Sequence, residues 1–363
     1  MKKISIYRAN AVLLLGILAV IVLYYGRVFL IPLAFAILFA MLLLPVSRKL
    51  ESWGLGRISA TLTCVFLILL FIAVILGIIA AQVAVISQDL PQLQAKLQQQ
   101  VDMLLQWVQQ QFGVSPEKQI QFIKSQISKF SQSANKFGTS LVSGGMGMLS
   151  GFALMLLYFF FLMWKREKYE QFFLKLSSPE NQPDTEKELH EITNVASQYV
   201  VGRLVSMIFL AFIYAIGFSI IGLKNALLIS LVTVIPTIIP YVGSIVGSLF
   251  PLMMAVVSGS SDMILPVILI IVLAQVLDNN IIEPLVEGSA LHISPIFTIV
   301  AIVLGELIWG IAGMILFIPL FAVIRIVCDH TPALHPYSFL LANDVEEPQW
   351  IEKVKGWFGK EKS

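Results

Sequence analysis

The chain is poor in charge and in the residues that do chemistry. Asp, Glu, Lys and Arg make up 13% of its 363 residues, against about 25% in an ordinary soluble domain, which excludes a solvated globular fold. Its two cysteines, Cys64 and Cys328, fall in apolar runs and form no CxxC pair, so neither a disulfide framework nor a thiolate metal site is expected. No GxxxxGK[ST] loop is present, which excludes an ATP-driven motor. His190-Glu191 begins a zinc-protease-like string, but Asn194 stands where the second ligand belongs, and no other histidine or cysteine spacing suits a metal. A net charge of +2 without an arginine-rich arm gives no footing for nucleic acid. The composition therefore predicts no metal, no cofactor and no enzyme.

What is present is apolar sequence, 58% of the chain, in runs long enough to cross a hydrocarbon core, which takes about 20 residues as a helix. The runs predict an all-α, polytopic membrane protein of about eight helices, at residues 9–25, 28–46, 58–83, 142–164, 204–222, 225–258, 263–282 and 294–328. The N-terminal run has basic residues before it but no small-x-small cleavage site after it, so it reads as an uncleaved first span. Basic residues gather at Arg48, Lys49 and Arg57 and again at Lys165, Arg166 and Lys168, whereas the opposite turns hold Arg27 and Lys224. By the positive-inside rule both termini are cytoplasmic, in a bacterial inner membrane.

The organisation follows as residues 1–83 (three spans), 84–141 (an extracytoplasmic helical hairpin), 142–164 (the fourth span), 165–203 (a cytoplasmic loop and helix), 204–328 (a transport core) and 329–363 (a cytoplasmic tail). The hairpin is read from two amphipathic seams. Leu93, Leu97, Val101, Leu104 and Val108 form one, and Ile120, Ile123, Ile127, Phe130, Ala134 and Phe137 the other, each stepping by three and four. Two seams with little core of their own predict a homo-oligomer.

Two runs are too long to be single spans. Residues 225–258 as one helix would reach about 50 Å, against a core of about 30 Å, and 294–328 is as long. The first holds Pro236, Pro240 and Gly243, the second Pro295, Gly305, Gly310 and Gly313. Proline removes a helix donor and clashes with the preceding turn, so both runs are expected to break. Broken helices in a bilayer persist where freed backbone lines a cavity or packs on protein, and in transporters they often form the solute site.

The strongest polar group is Asp278, Asn279, Asn280 and Glu283, followed by Pro284. An ionisable residue in a span costs about 2.5–3.5 kcal/mol on insertion scales and marks a pathway or a partner. Glu306, inside the last run, is expected to need a partner or a proton, since burial disfavours the charged carboxylate. These five residues are the candidate pathway or gate, and the prolines and glycines above the candidate helix breaks.

In order and spacing the motifs resemble one family. They are Pro32, Ala36, Ala40, Leu44 and Pro45; Gly202-Arg203; Ile235-Pro236 through Pro240-Tyr241-Val242-Gly243; Asp278-Asn279 with Glu283-Pro284; Gly288, Leu291 and Ser294-Pro295; and Gly305, Trp309-Gly310, Gly313-Met314 and Ile318-Pro319. Together they resemble the autoinducer-2 exporter family of bacterial permeases over nearly the whole chain, most closely from Leu204 to Arg325. The resemblance implies an inner-membrane transporter. Its activity would be export of the quorum-sensing signal autoinducer-2 or, as for some members, sodium(lithium)/proton antiport. The expected partners are membrane lipid, a small polar solute and a coupling proton or sodium ion. The reading from another class is a non-transporting membrane scaffold working through the 88–137 hairpin.

Overall fold

Why the two overlong runs break is visible in the computed structural model, which describes residues 6–81, 145–258, 261–286 and 293–343. The expected hairpin over 84–141 lies outside these residues, as do Gly288, Leu291 and the tail beyond Asn343. Among the described residues the chain is helical, with no β-strand. Five helices are long and apolar enough to cross a membrane: Arg27–Ser52, Arg57–Ala81, Pro179–Ile220, Ile264–Val286 and Ile311–His330. Leu149–Trp164 passes the same test only when taken with Arg166–Leu176, from which it is bent by 72°. This is an all-α polytopic membrane protein.

The chain divides into two compact units, Met1–Ile68 with Leu149–Arg203 and Pro284–Ser363, and Leu69–Met148 with Leu204–Glu283. The first unit contains α1 (Ile6–Tyr25), α2 (Arg27–Ser52), the start of α3 (Arg57–Ala81), most of α4 (Gly145–Trp164), α5 (Arg166–Leu176) and the polar half of α6 (Gln182–Ile220). The second holds the apolar half of α6, then α7 (Ala226–Val234), α8 (Val242–Ser258) and α9 (Ile264–Leu277). The chain then returns to the first unit with α10 (Pro295–Trp309), α11 (Ile311–His330) and α12 (His335–Leu341). The sequence reading separates a cytoplasmic loop and helix at 165–203 from a span at 204–222. Instead α6 is one helix of 39 residues, about 58 Å long, in which Pro183 is harmless because the first turn needs no such donor.

The run 294–328 is not a kinked span but two helices folded on each other. α10 is 15 residues and α11 is 20, about 22 and 30 Å, and they reverse at Gly310. That residue has φ 62° and ψ −142°, a conformation only glycine adopts without strain. Past the turn, the backbones of Gly305 and Gly313 touch, and a methyl group on either would collide with the other's carbonyl. Trp309, at the turn, donates its indole N–H to the Leu23 carbonyl at 2.9 Å. Leu38, Ala196 and Leu316 pack one side of α11 against α2 and α6.

The run 225–258 folds back in the same manner. α7 passes into a 3₁₀ turn, Ile235–Ile238, then Ile239 is extended (φ −97°, ψ 112°) and α8 begins at Val242. A Cβ at Gly243 would strike the Pro236 carbonyl and one at Gly247 the Thr233 carbonyl, so the two short helices run antiparallel with backbone on backbone. Two threonines near the turn bond back to the preceding turn of backbone. Thr233 Oγ1 donates to Ile229 O at 2.7 Å and Thr237 Oγ1 to Val234 O at 2.6 Å. The core of this unit gathers side chains from α6 to α9, among them Leu210 and Tyr214 on α6, Ile229 and Val234 on α7, Met254 and Ala255 on α8, and Val267 and Ala274 on α9.

Space at the glycines sets a test. Gly313→Val and Gly243→Ala should each destabilise by about 3 kcal/mol or more through overpacking against backbone that cannot yield. Gly151→Ala, where a Cβ meets nothing, should be neutral. Thermal unfolding in detergent measures the difference, and equal melting of all three variants would contradict the packing.

Candidate transport site

Polar residues inside the second unit are held on the seam between α6 and α9. Ser206, Leu210, Tyr214 and Phe218 recur every fourth residue and all are buried, so they form one stripe of α6. α9 runs antiparallel to it, and at Gly217 the two helices come close enough that a Cβ would lie 2.7 Å from Ile270. Hydrogen bonds cross the seam. Gln275 Nε2 donates to Tyr214 Oη at 3.1 Å, and Ser206 Oγ donates to Asp278 Oδ1. Tyr214 stacks on Phe218 with ring centroids 5.3 Å apart.

Asp278 is 2% exposed and lies eight residues before the end of the span Ile264–Val286, about 12 Å inside it. It is therefore not a solvated helix end. The helix widens here into a π turn over Asp278–Ile282. Pro284 gives the reason, because its ring would clash with the Asn280 carbonyl in an α-helix and it has no N–H to donate there. Such π turns are rare and frequent at functional sites. Of the predicted polar group only Asp278 is buried. Asn279 and Asn280 face outward, Asn280 bonding back to the Val276 carbonyl at 2.8 Å, and Glu283 is half-buried.

In the first unit Glu306 is exposed and one turn before Gly310. The sequence expectation of a deep carboxylate in want of a partner differs from this. The apolar run is a hairpin, so its middle is a tip and Glu306 sits near that tip. Pro295 starts α10 at its first position, where proline is favoured, and so caps a helix rather than breaking one. Pro236, Pro240 and Gly243 form the reversal in the second unit, and Gly305, Gly310 and Gly313 that of the first.

Several site-forming residues escape sequence reasoning. Ser206, Tyr214 and Gln275 are single polar residues in apolar runs, and their eight- and three-residue offsets are the only signal they give. Nothing in the sequence pairs Glu51 with Arg166, which bond through two N–H···O contacts of 2.8 and 2.6 Å across 115 positions. Ser47 donates to the same carboxylate at 3.0 Å, and Arg57 pairs with Glu167. These contacts lock the polar ends of α2, α3 and α5. Beside them lies a cavity of about 190 Å³ walled by Ile37, Met41, Leu44, Met163 and Phe173, with Arg48 and Glu170 among its lining. None of the predicted pathway residues lines it. Glu170, Glu186 and His190 bring ligand atoms within 4.8 Å of one another, an arrangement common among exposed side chains.

Spans, glycine-seated reversals inside apolar sequence and a carboxylate held within a span define a polytopic membrane protein with a polar interior. The profile of the AI-2E family transporter matches residues 12–333, and the chain belongs to that family. It is 28% identical over 297 residues to "Putative transport protein YueF" of Bacillus subtilis (strain 168), covering 77% of this chain and 78% of that one. Over 142 residues it is 25% identical to "Putative transport protein YrrI" of the same organism, covering 39% and 40% respectively.

The ionic lock sets a second test. Glu51→Gln removes the charge that the Arg166 guanidinium holds through two hydrogen bonds and should lower stability at neutral pH by about 2 kcal/mol. Melting in detergent measures it, and an unchanged melting temperature would show that the Arg166 contact is unimportant.

Proposed function

We propose that this transporter works as an exporter in the bacterial inner membrane, with both termini cytoplasmic, and carries a small polar solute outward. Autoinducer-2 is the solute named by the family. The observation that carries the reading is Asp278, a buried carboxylate hydrogen-bonded to Ser206 in a π turn inside a span. A group kept there at a cost of a few kcal/mol has a use that packing alone would not require. Its neighbours on the seam, Tyr214 and Gln275, supply the alternating donors and acceptors that a polar solute or a hydrated ion exchanges for water.

The proline reversal at Pro236 and Pro240 serves as a gate in this scheme, because a 3₁₀ turn and an extended residue shift more readily than a continuous helix. Glu306, near the tip of its own hairpin, takes the coupling proton. A second reading, sodium(lithium)/proton antiport, is favoured by Asp278 itself, since a carboxylate beside a hydroxyl is a ligand set for a small hard cation. Homo-oligomeric assembly through the 84–141 segment accompanies either reading.

Flux into and out of proteoliposomes with imposed pH and sodium gradients tests the proposal, with autoinducer-2 as the first solute. Asp278→Asn should insert normally and reduce flux by about tenfold or more, the equivalent of about 1.4 kcal/mol in the barrier. Glu306→Gln should keep downhill flux and lose its dependence on the pH gradient. Unchanged flux in both variants at every pH would remove the acidic residues from the mechanism. Sodium-driven proton movement without solute would select the antiport reading.

A further inference from the structure

The helix α5 leaves the end of α4 at 72°. Spans tilt by about 20° from the membrane normal on average, so a helix turned this far from one lies close to the membrane plane. The depth of the elbow is marked by its neighbours. Trp164 ends α4 with the Lys165 ammonium 4.1 Å from its ring, and Trp53 follows α2 with Lys49 at 5.6 Å. The Glu51–Arg166 pair holds the ends of α2 and α5 at one level. Tryptophan beside lysine is the residue pair of the headgroup region.

The faces of α5 suit that setting. Tyr169, Phe172, Phe173 and Leu176, spaced three, four and seven, form one stripe and are all exposed, Phe172 by 56% and Leu176 by 70%. Arg166, Glu170 and Leu174 are half-buried on the side that meets the protein. Glu167, Lys168, Gln171 and Lys175 occupy the remaining arc and are exposed. Water on all sides would leave four large apolar side chains wet, whereas an interfacial helix buries such a stripe among acyl chains and keeps its polar arc in the headgroups. The ion pairs occupy Arg166 and Glu167, so Lys165, Lys168 and Lys175 dominate the charge that α5 presents. Tyr169 and Phe173 also line the apolar cavity behind the helix, which continues the stripe inward.

We infer that α5 is an interfacial anchor whose Tyr169–Leu176 stripe is embedded in the bilayer that the chain spans, with Lys168 and Lys175 binding anionic phospholipid headgroups. The experiment uses the full-length protein, with Cys64 and Cys328 replaced by alanine, carrying one environment-sensitive fluorophore on Phe172→Cys, Leu176→Cys, Gln171→Cys or Lys175→Cys. The labelled proteins are reconstituted in phosphatidylcholine vesicles containing brominated lipid, with and without phosphatidylglycerol. Labels at 172 and 176 should emit further to the blue and be quenched several-fold more than those at 171 and 175. Phosphatidylglycerol should deepen the quenching at 172, and Lys168→Glu with Lys175→Glu should abolish that increase. Equal quenching at all four positions would overturn the inference. So would lipid-insensitive emission at 172 together with disulfide formation between copies of the unlabelled Phe172→Cys protein, which would assign the stripe to a second chain. Quenching indifferent to phosphatidylglycerol would overturn the anionic headgroup contact.

Discussion

Contact of backbone on backbone at a few glycines is the constraint on which this structure depends. A helix in lipid gains little from burying apolar surface against another helix, because lipid tails are as apolar as leucine, and close packing through small residues takes over that task. Gly305 against Gly313, and Gly243 against the Pro236 carbonyl, let each overlong apolar run fold back along itself rather than continue as one helix. Each reversal satisfies its backbone locally. In one the Gly310 N–H donates to the Glu306 carbonyl at 2.9 Å, and in the other the Gly243 N–H donates to the Ile239 carbonyl at 2.9 Å. Irregular backbone at membrane depth persists only when it is satisfied in this way or faces a cavity.

The seam of α6 and α9 shows the same economy. Gly217 allows the close approach, the apolar core from Leu210 to Ala274 holds the helices in register, and Ser206 and Tyr214 meet Asp278 and Gln275 across it. A polar pair buried in a low-dielectric setting is strong when satisfied and costly when not. That makes the seam sensitive to a change of charge or the arrival of an ion, as a transport step requires. The π turn imposed by Pro284 helps set which residue faces inward. Within the turn Asp278 is buried, whereas Asn279 and Asn280 are exposed.

Much of the architecture is legible in the sequence. Run lengths and basic residues predict an all-α membrane protein, and Pro236, Pro240 and the glycines mark where the helices break. The direction of each break is not legible. A proline reports that a helix is interrupted, but the angle depends on which backbone the following glycine meets, a contact between residues seven or eight apart. The same limit applies to the site. Asp278 stands out as a charge in apolar sequence, whereas Ser206, 72 positions away, is an ordinary serine until the helices are paired. Glu306 reads as deep because the apolar run around it is long, and it lies near a tip because the run is folded. The Glu51–Arg166 lock could not be read at all, since neither residue differs from other surface charges near a helix end.

The reversal at Gly310 is the claim that separates this architecture from a chain of simple spans, and a single distance tests it. Spin labels at Ile296 and Ile324, both exposed, would be about 42 Å apart along one continuous helix. Folded back, α10 and α11 lie about 8–10 Å apart axis to axis, so double electron–electron resonance on the full-length protein in lipid should give a distance below about 20 Å. A distribution centred near 40 Å would contradict the hairpin and, with it, the placement of Glu306 at a tip.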